Sequence, residues 1–186
     1  MNDKLVIFGT GGFGREVEEL IRDVNQAEHR FDVLGFLDGN AELHGTFVHG
    51  LQVLGGTEWV LKNPHVQTVV AVGSPAAKMK IVSEFPSEYT AFPIIISPRA
   101  WVGHEVQMEQ GCIICAGTVV TTDVKLGAFC TLNLNSTVGH DSVVSDYVTL
   151  APAVNVSGNV SIETGVEIGT SASIIPGVSI GEWSVL

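Results

Sequence analysis

Two stretches of this chain carry residues able to do chemistry. One is His140-Asp141, with Asp146 close behind in sequence. Histidine is the side chain best suited to take a proton near neutral pH. A carboxylate beside it favours the charged ring and can orient it. Acyl transfer to an amine or a hydroxyl needs such a base near the acceptor, together with a donor to the carbonyl oxygen. His104, with Glu105 beside it, reads instead as a plain corner histidine. The other stretch is Gly9-Thr10-Gly11-Gly12-Phe13-Gly14, a glycine-rich turn of the kind that lets backbone amides approach an anion.

The elements that must position His140 are set by a repeat. Counting in sixes from Val102, the residues are Met108, Ile114, Val120, Leu126, Leu132, Val138 and so on to Ile180 and Leu186, all aliphatic or Met. Two places before each stands a small or branched residue, such as Cys112, Val124, Cys130, Ser136 and Val148. Residues i and i+2 of a strand share a face, so each pair points inward together. Two places further on stand mostly polar or turn-forming residues, where the chain must turn a corner. An unbroken hexad predicts a β-solenoid and argues against a sandwich with regular turns. Gly103, Gly127, Gly139, Gly169 and Gly181 are expected to serve tight corners, some with φ > 0. His104, Thr122, His140, Gly158 and Pro176 fall on one corner column. Coils ~4.8 Å apart place the two histidines roughly 10 Å from each other. Gly158, one coil beyond His140, is expected to leave the corner open and to offer a bare N–H.

The glycine-rich turn belongs to a different kind of element. Leu5-Val6-Ile7-Phe8 reads as a strand, and Val17, Leu20, Ile21 and Val24 recur at helical spacing after the turn. Strand, turn and helix make the start of a Rossmann-like unit. Phe31 to Leu37 predicts a second strand, with Asp38 where an acidic residue meets a ribose or base, or alternatively in a solvated turn. A helix from Glu58 is expected behind Thr57 as N-cap, a third strand over 68–72 ending at Gly73, and a helix over 76–85. The half is too short for two mononucleotide halves, so a single nucleotide suits it better than NAD.

Together these stretches resemble the sugar-nucleotide N-acetyltransferases and sialic acid O-acetyltransferases of bacterial glycan pathways. The residues that carry the resemblance are Val6 to Glu16, Gly35-Phe36-Leu37-Asp38, Ser97-Pro98-Arg99-Ala100 and Asn133-x-x-Ser136-x-Val138-Gly139-His140-Asp141. The resemblance implies a small Rossmann-like domain over residues 1–92 that binds a nucleotide sugar. A left-handed parallel β-helix of hexapeptide repeats then follows over 93–186. It further implies acetyl-CoA as co-substrate, a homotrimer with active sites between neighbouring prisms, and His140 as general base paired with Asp141. Gly9, Gly11, Gly12, Phe13, Gly14, Asp38 and Gly73 would face the nucleotide sugar. Gly158, Asn133 and Thr149 would face acetyl-CoA, Thr149 standing where relatives often carry a further histidine. The resemblance leaves the amine of a nucleotide-linked amino sugar and a hydroxyl of sialic acid both open as acceptors.

Composition narrows the other classes. A net charge of −11 argues against a nucleic-acid surface. No apolar run is long enough to span a bilayer, and Met1 leads straight towards a strand without a signal-peptide core, so a cytoplasmic location is expected. Three cysteines then read as reduced thiols. A zinc site of the hexapeptide type needs about three histidines, and the repeat holds two, far apart, so no metal is expected. A nucleotide-sugar-binding structural module would not need the His-Asp pair. The chain stops in mid-hexad at Leu186, with Lys125 the one basic residue after Ala100. The mid-hexad stop predicts a natural end further on, and the resemblance, to families in which the following coil and tail help hold coenzyme A, implies weakened acetyl-CoA binding without it.

Overall fold

The computed structural model describes residues 2–186, which fall into two compact units. One is formed by the chain up to Gly73 with Ala77–Pro93, the other by Ser74–Ala76 with Ile94–Leu186.

In the first unit, β1 (Asp3–Phe8) runs into α1 (Gly12–Glu28), followed by β2 (Phe31–Leu37), β3 (Phe47–Val48), β4 (Leu51–Gly55), α2 (Thr57–Lys62), β5 (Gln67–Val70) and α3 (Pro75–Ser83). The sheet order is β3-β4-β2-β1-β5, all parallel except the short β3 edge. Leu5, Val6, Ile7 and Phe8 are all buried, as a central parallel strand requires. Val17, Leu20, Ile21 and Val24 bury one face of α1. Glu18 is buried on that face too, and its charge is met by Arg22 Nε at 2.6 Å and His49 Nδ1 at 3.0 Å.

Three details of this unit differ from the sequence reading. Thr57 lies inside α2; Gly56 is the cap residue, and the Glu58 carboxylate supplies the missing acceptor by taking the Gly56 N–H at 2.8 Å. The strand expected over 68–72 is β5, which ends at Val70, and the helix after it starts at Pro75, which is compatible with a first turn because its missing N–H has no intrahelical partner there.

The second unit is a ladder of two-residue parallel strands arranged in three five-stranded sheets. Val119 pairs with Trp101 before it and Thr137 after it, eighteen residues to either side, so one coil takes three hexads. Val120, Leu126, Leu132, Val138, Val144 and Leu150 point into one apolar column. The small inward residues keep it dry of unmet polar groups. Ser136 Oγ donates to Asn133 O at 2.7 Å, Ser142 Oγ to Ser157 O at 3.2 Å, and Cys130 Sγ to Ser145 O at 3.0 Å.

The corners correct the glycine reading. Left-handed residues do occur once per hexad, but at Glu105, Asp123, Phe129, Asn135, Asp141, Tyr147 and their equivalents. Gly103, Gly127, Gly139, Gly169 and Gly181 have no positive φ. Close approach of coils explains several of them instead: a methyl on Gly139 would stand 2.5 Å from the Gly158 amide nitrogen. Each non-glycine left-handed residue costs about 1–2 kcal/mol. At one corner the cost is offset in part by stacking, where the Phe129 and Tyr147 rings lie 5.3 Å apart and nearly parallel.

Candidate active site

His140 stands two residues after the buried Val138 of the strand Thr137–Val138, at the corner before the strand Val143–Val144. The aliphatic column fixes Val138, and the turn that follows carries the imidazole outward. Asp141 takes the left-handed conformation, φ 59°, which aspartate tolerates better than most residues. Its Oδ2 lies 2.7 Å from His140 Nδ1. The carboxylate accepts from Nδ1–H, which leaves Nε2 with a lone pair. Both side chains stand in solvent, 64% and 62% exposed, so the pair is open to a substrate.

Gly158 lies one coil beyond, with Asn159 N donating to His140 O at 2.7 Å. The space where a side chain would begin on Gly158 is taken by the face of the His140 ring. Asp146 is not part of the pair. Its Oδ1 accepts the Ala128 N–H at 2.8 Å, at the next corner round the coil. Asn133 and Thr149 are not gathered with His140 either. Asn133 folds back to accept the Leu134 N–H at 2.7 Å, and Thr149 is buried in a strand of the third face. His104 shares the column of His140, but its ring has no hydrogen-bond partner among the described residues.

The glycine-rich loop forms a second candidate region. α1 starts at Gly12 with Gly11 in the cap position and no side-chain cap, so its positive end is left for an anion. Nothing lies within 4 Å of where a side chain would begin on Gly11, Gly12 or Gly73. Gly9 and Gly14 are there for the opposite reason. Gly9 has φ 113°, and a methyl on Gly14 would overlap the Gly9 carbonyl oxygen. Phe13 is half-buried. Asp38 does not hold out a free carboxylate. Its Oδ2 accepts from Thr10 N and Thr10 Oγ1, at 3.1 and 2.6 Å, and its Oδ1 from Asn40 N at 2.9 Å. Beside it lies a cleft of about 410 Å³, lined by Phe8, Gly9, Gly39, Lys80 and Glu84 among others. Thr10 and Glu84 escaped the sequence reading. The hydroxyl inside the glycine motif was the one available sign of the first; nothing in the sequence marked the second.

Comparison with known proteins agrees with both halves. Residues 4–85 match the family model described as the PglD N-terminal domain. Over 176 residues the chain is 34% identical to a GDP-perosamine N-acetyltransferase of Escherichia coli O157:H7, covering 92% of this chain and 78% of the relative. The chain belongs to the hexapeptide-repeat sugar acetyltransferases. Among solved members of the family, the acetyltransferase domain of PglB from Neisseria gonorrhoeae FA1090, in complex with acetyl coenzyme A, superposes with a TM-score of 0.85. It shares 27% identity, with coverage of 100% of this chain and 88% of that one. PerB from Caulobacter crescentus, in complex with CoA and GDP-perosamine, gives a TM-score of 0.87 at 25% identity, covering 98% and 84%. The fold of the family is the one expected here, a small α/β domain followed by a left-handed β-helix. Among the described residues, no helix is long and apolar enough to cross a membrane.

Proposed function

We propose that this chain transfers the acetyl group of acetyl-CoA to the amino group of a nucleotide-linked amino sugar, with His140 as general base. Membership of the family makes it an acetyl-CoA-dependent acyltransferase, and the amine acceptor follows the relative named as a GDP-perosamine N-acetyltransferase and the one solved with CoA and GDP-perosamine. The observation that carries the assignment of the base is the 2.7 Å contact between His140 Nδ1 and Asp141 Oδ2 at an exposed corner. Nε2 takes a proton from the acceptor nitrogen as that nitrogen attacks the thioester carbon. The C–S bond then breaks, and the departing thiolate of coenzyme A recovers the proton from the imidazolium. Asp141 stabilises the imidazolium while it exists. The Gly158 N–H, at the same corner, is the natural candidate to meet the carbonyl oxygen.

In the first unit, the uncapped start of α1 and the open Gly11-Gly12 backbone suit the phosphates of the nucleotide. The working assembly in this proposal is a homotrimer. Trp101 and Val143, 58% and 43% exposed on flat strand faces, are apolar surface that a symmetric neighbour would bury. Incubation with acetyl-CoA and a panel of nucleotide amino sugars and sialic acid, read by mass spectrometry, tests the assignment. An acetyl group gained on an amine supports it; acetylation of sialic acid hydroxyls alone overturns the choice of acceptor.

A further inference from the structure

We propose that Gly158 is a positioning residue that fixes the direction of the His140 imidazole, a role that rests on the reading of His140 as the base. The two residues occupy the same corner of consecutive coils. A methyl group on Gly158 would stand 2.6 Å from His140 Nε2, 2.7 Å from Cε1 and 3.0 Å from Cδ2. Distances this similar to three adjacent ring atoms place that point over the face of the imidazole. The imidazole therefore lays its face over a bare α-carbon, in a space that any other residue type would occupy with its own Cβ, and the in-plane lone pair of Nε2 is left clear of Gly158.

The ring is held from two sides. Asp141 grips Nδ1 at 2.7 Å, and its left-handed backbone, φ 59°, puts the carboxylate alongside the ring. Gly158 supplies the surface on which the ring face rests. Among the described residues the ring has no other hydrogen-bond partner than Asp141, the side chain is 64% exposed to solvent, and exposed rotamers exchange within nanoseconds. Backbone bonds on either side keep the glycine itself in place: Asn159 N donates to His140 O at 2.7 Å and Gly177 N to Gly158 O at 3.3 Å. A Cβ at 158 must therefore displace the ring and not the coil.

The same column contains its own comparison. One coil beyond His104 stands Thr122, which has a Cβ and whose hydroxyl bonds to His104 O at 3.1 Å and Asp123 Oδ2 at 2.8 Å. His104 also has an acidic neighbour in the left-handed conformation, Glu105, yet its ring has no hydrogen-bond partner among the described residues. The two corner histidines differ in the acid beside them and in the residue one coil on. Where that residue is glycine, the ring is fixed. Alignment matters because a base displaced by about 1 Å from the reacting atoms loses on the order of 10²-fold in rate.

The test uses the whole protein, ¹⁵N-labelled at histidine and free of substrates. In the wild type, His140 should show a protonated Nδ1 and an unprotonated Nε2 above pH 8, and His104 the averaged pattern of a mobile imidazole. Gly158→Ala should move the His140 nitrogen shifts towards the averaged pattern and leave those of His104 in place. In kinetics it should lower kcat roughly 10- to 100-fold with a smaller change in KM for acetyl-CoA. Because no donor is present in the spectra, hindrance of the donor cannot produce the spectral change. A wild-type His140 with the averaged pattern overturns the proposal, and so does a Gly158→Ala protein with unchanged His140 shifts. If His140→Ala keeps its turnover, the base assignment fails while the spectra still report the ring geometry.

Discussion

Thr10 Oγ1 donates to Asp38 Oδ2 at 2.6 Å, and this bond ties the glycine-rich loop after β1 to the end of β2. The Thr10 N–H reaches the same oxygen at 3.1 Å, so two adjacent strand ends are stitched through one carboxylate. Burial alone would raise the proton affinity of Asp38. The hydroxyl of Thr10, the amides of Asn40 and Thr10 and the neighbouring His44 outweigh it and hold the carboxyl below its ordinary value of 3.8.

That depression has a sign in stability. A carboxyl with a lowered folded-state pKa stabilises the fold above its unfolded pKa, near 3.9, and the contribution is lost as pH falls through the folded value. Asp38→Ala should cost about 1.5–3 kcal/mol at pH 7, the usual worth of hydrogen bonds to a charged group. Urea melts of both proteins at pH 7 and at pH 3 check it. The difference should shrink at the lower pH; a constant difference would show that the charge of Asp38 is not what stabilises the loop.

His140→Ala should lower turnover roughly 10²–10⁴-fold, with a much smaller effect on substrate affinity. Its side chain is outside the apolar column, so melting should change by no more than about 0.5 kcal/mol. His104→Ala, in the same column without a bonded acid, should remain near wild type. Steady-state kinetics on the two variants decide between them; a large loss in His104→Ala alone would move the base two coils away.

Leu132 is fully buried in the column of the second unit. Leu132→Ala should destabilise by about 2–5 kcal/mol, since the cavity is enclosed by the coils on both sides. Chemical denaturation of that unit's transition measures it. A cost under 1 kcal/mol would mean that the column collapses around the gap.

Gly139→Ala should also destabilise, although its backbone has no positive φ. The added methyl would press on the Gly158 amide nitrogen at 2.5 Å, a backbone atom that cannot swing aside. A loss of about 1–3 kcal/mol is expected for such overpacking. A neutral result in a thermal melt would show that neighbouring coils can part by several tenths of an ångström.

Sedimentation should give a trimer whose dissociation abolishes activity. An active monomer in the same experiment contradicts the proposed assembly.

The column of the second unit was readable in advance because its signal is one-dimensional: the hexad sets which side chains point inward. Strand Phe31 to Leu37 was equally plain, a mostly apolar run closed by Asp-Gly. What escaped depends on distances between residues far apart in sequence. Gly139 looked like a corner residue and Asp141 like the acid of the pair, and only the stacked coils show that the first avoids a clash while the second also carries the left-handed turn. Asp38 read either as a ligand contact or as part of a solvated turn, and its bond to Thr10, twenty-eight positions away, could not be read from either. Thr57 is a good cap by residue type, but Glu58 reaches back and the cap position falls to Gly56.

Because every interior strand of the second unit pairs with residues eighteen places before and after it, its coils are interchangeable parts. Removing eighteen residues between two equivalent corners closes the gap with all three faces still aligned. Removing six keeps every aliphatic side chain pointing inward but turns all that follows by one face, about a third of a revolution. Such a deletion upstream of His140 would leave a folded column and carry the histidine to the wrong edge. In this architecture, then, the azimuth of the base is counted in residues, and chain length itself acts as an inherited angular coordinate.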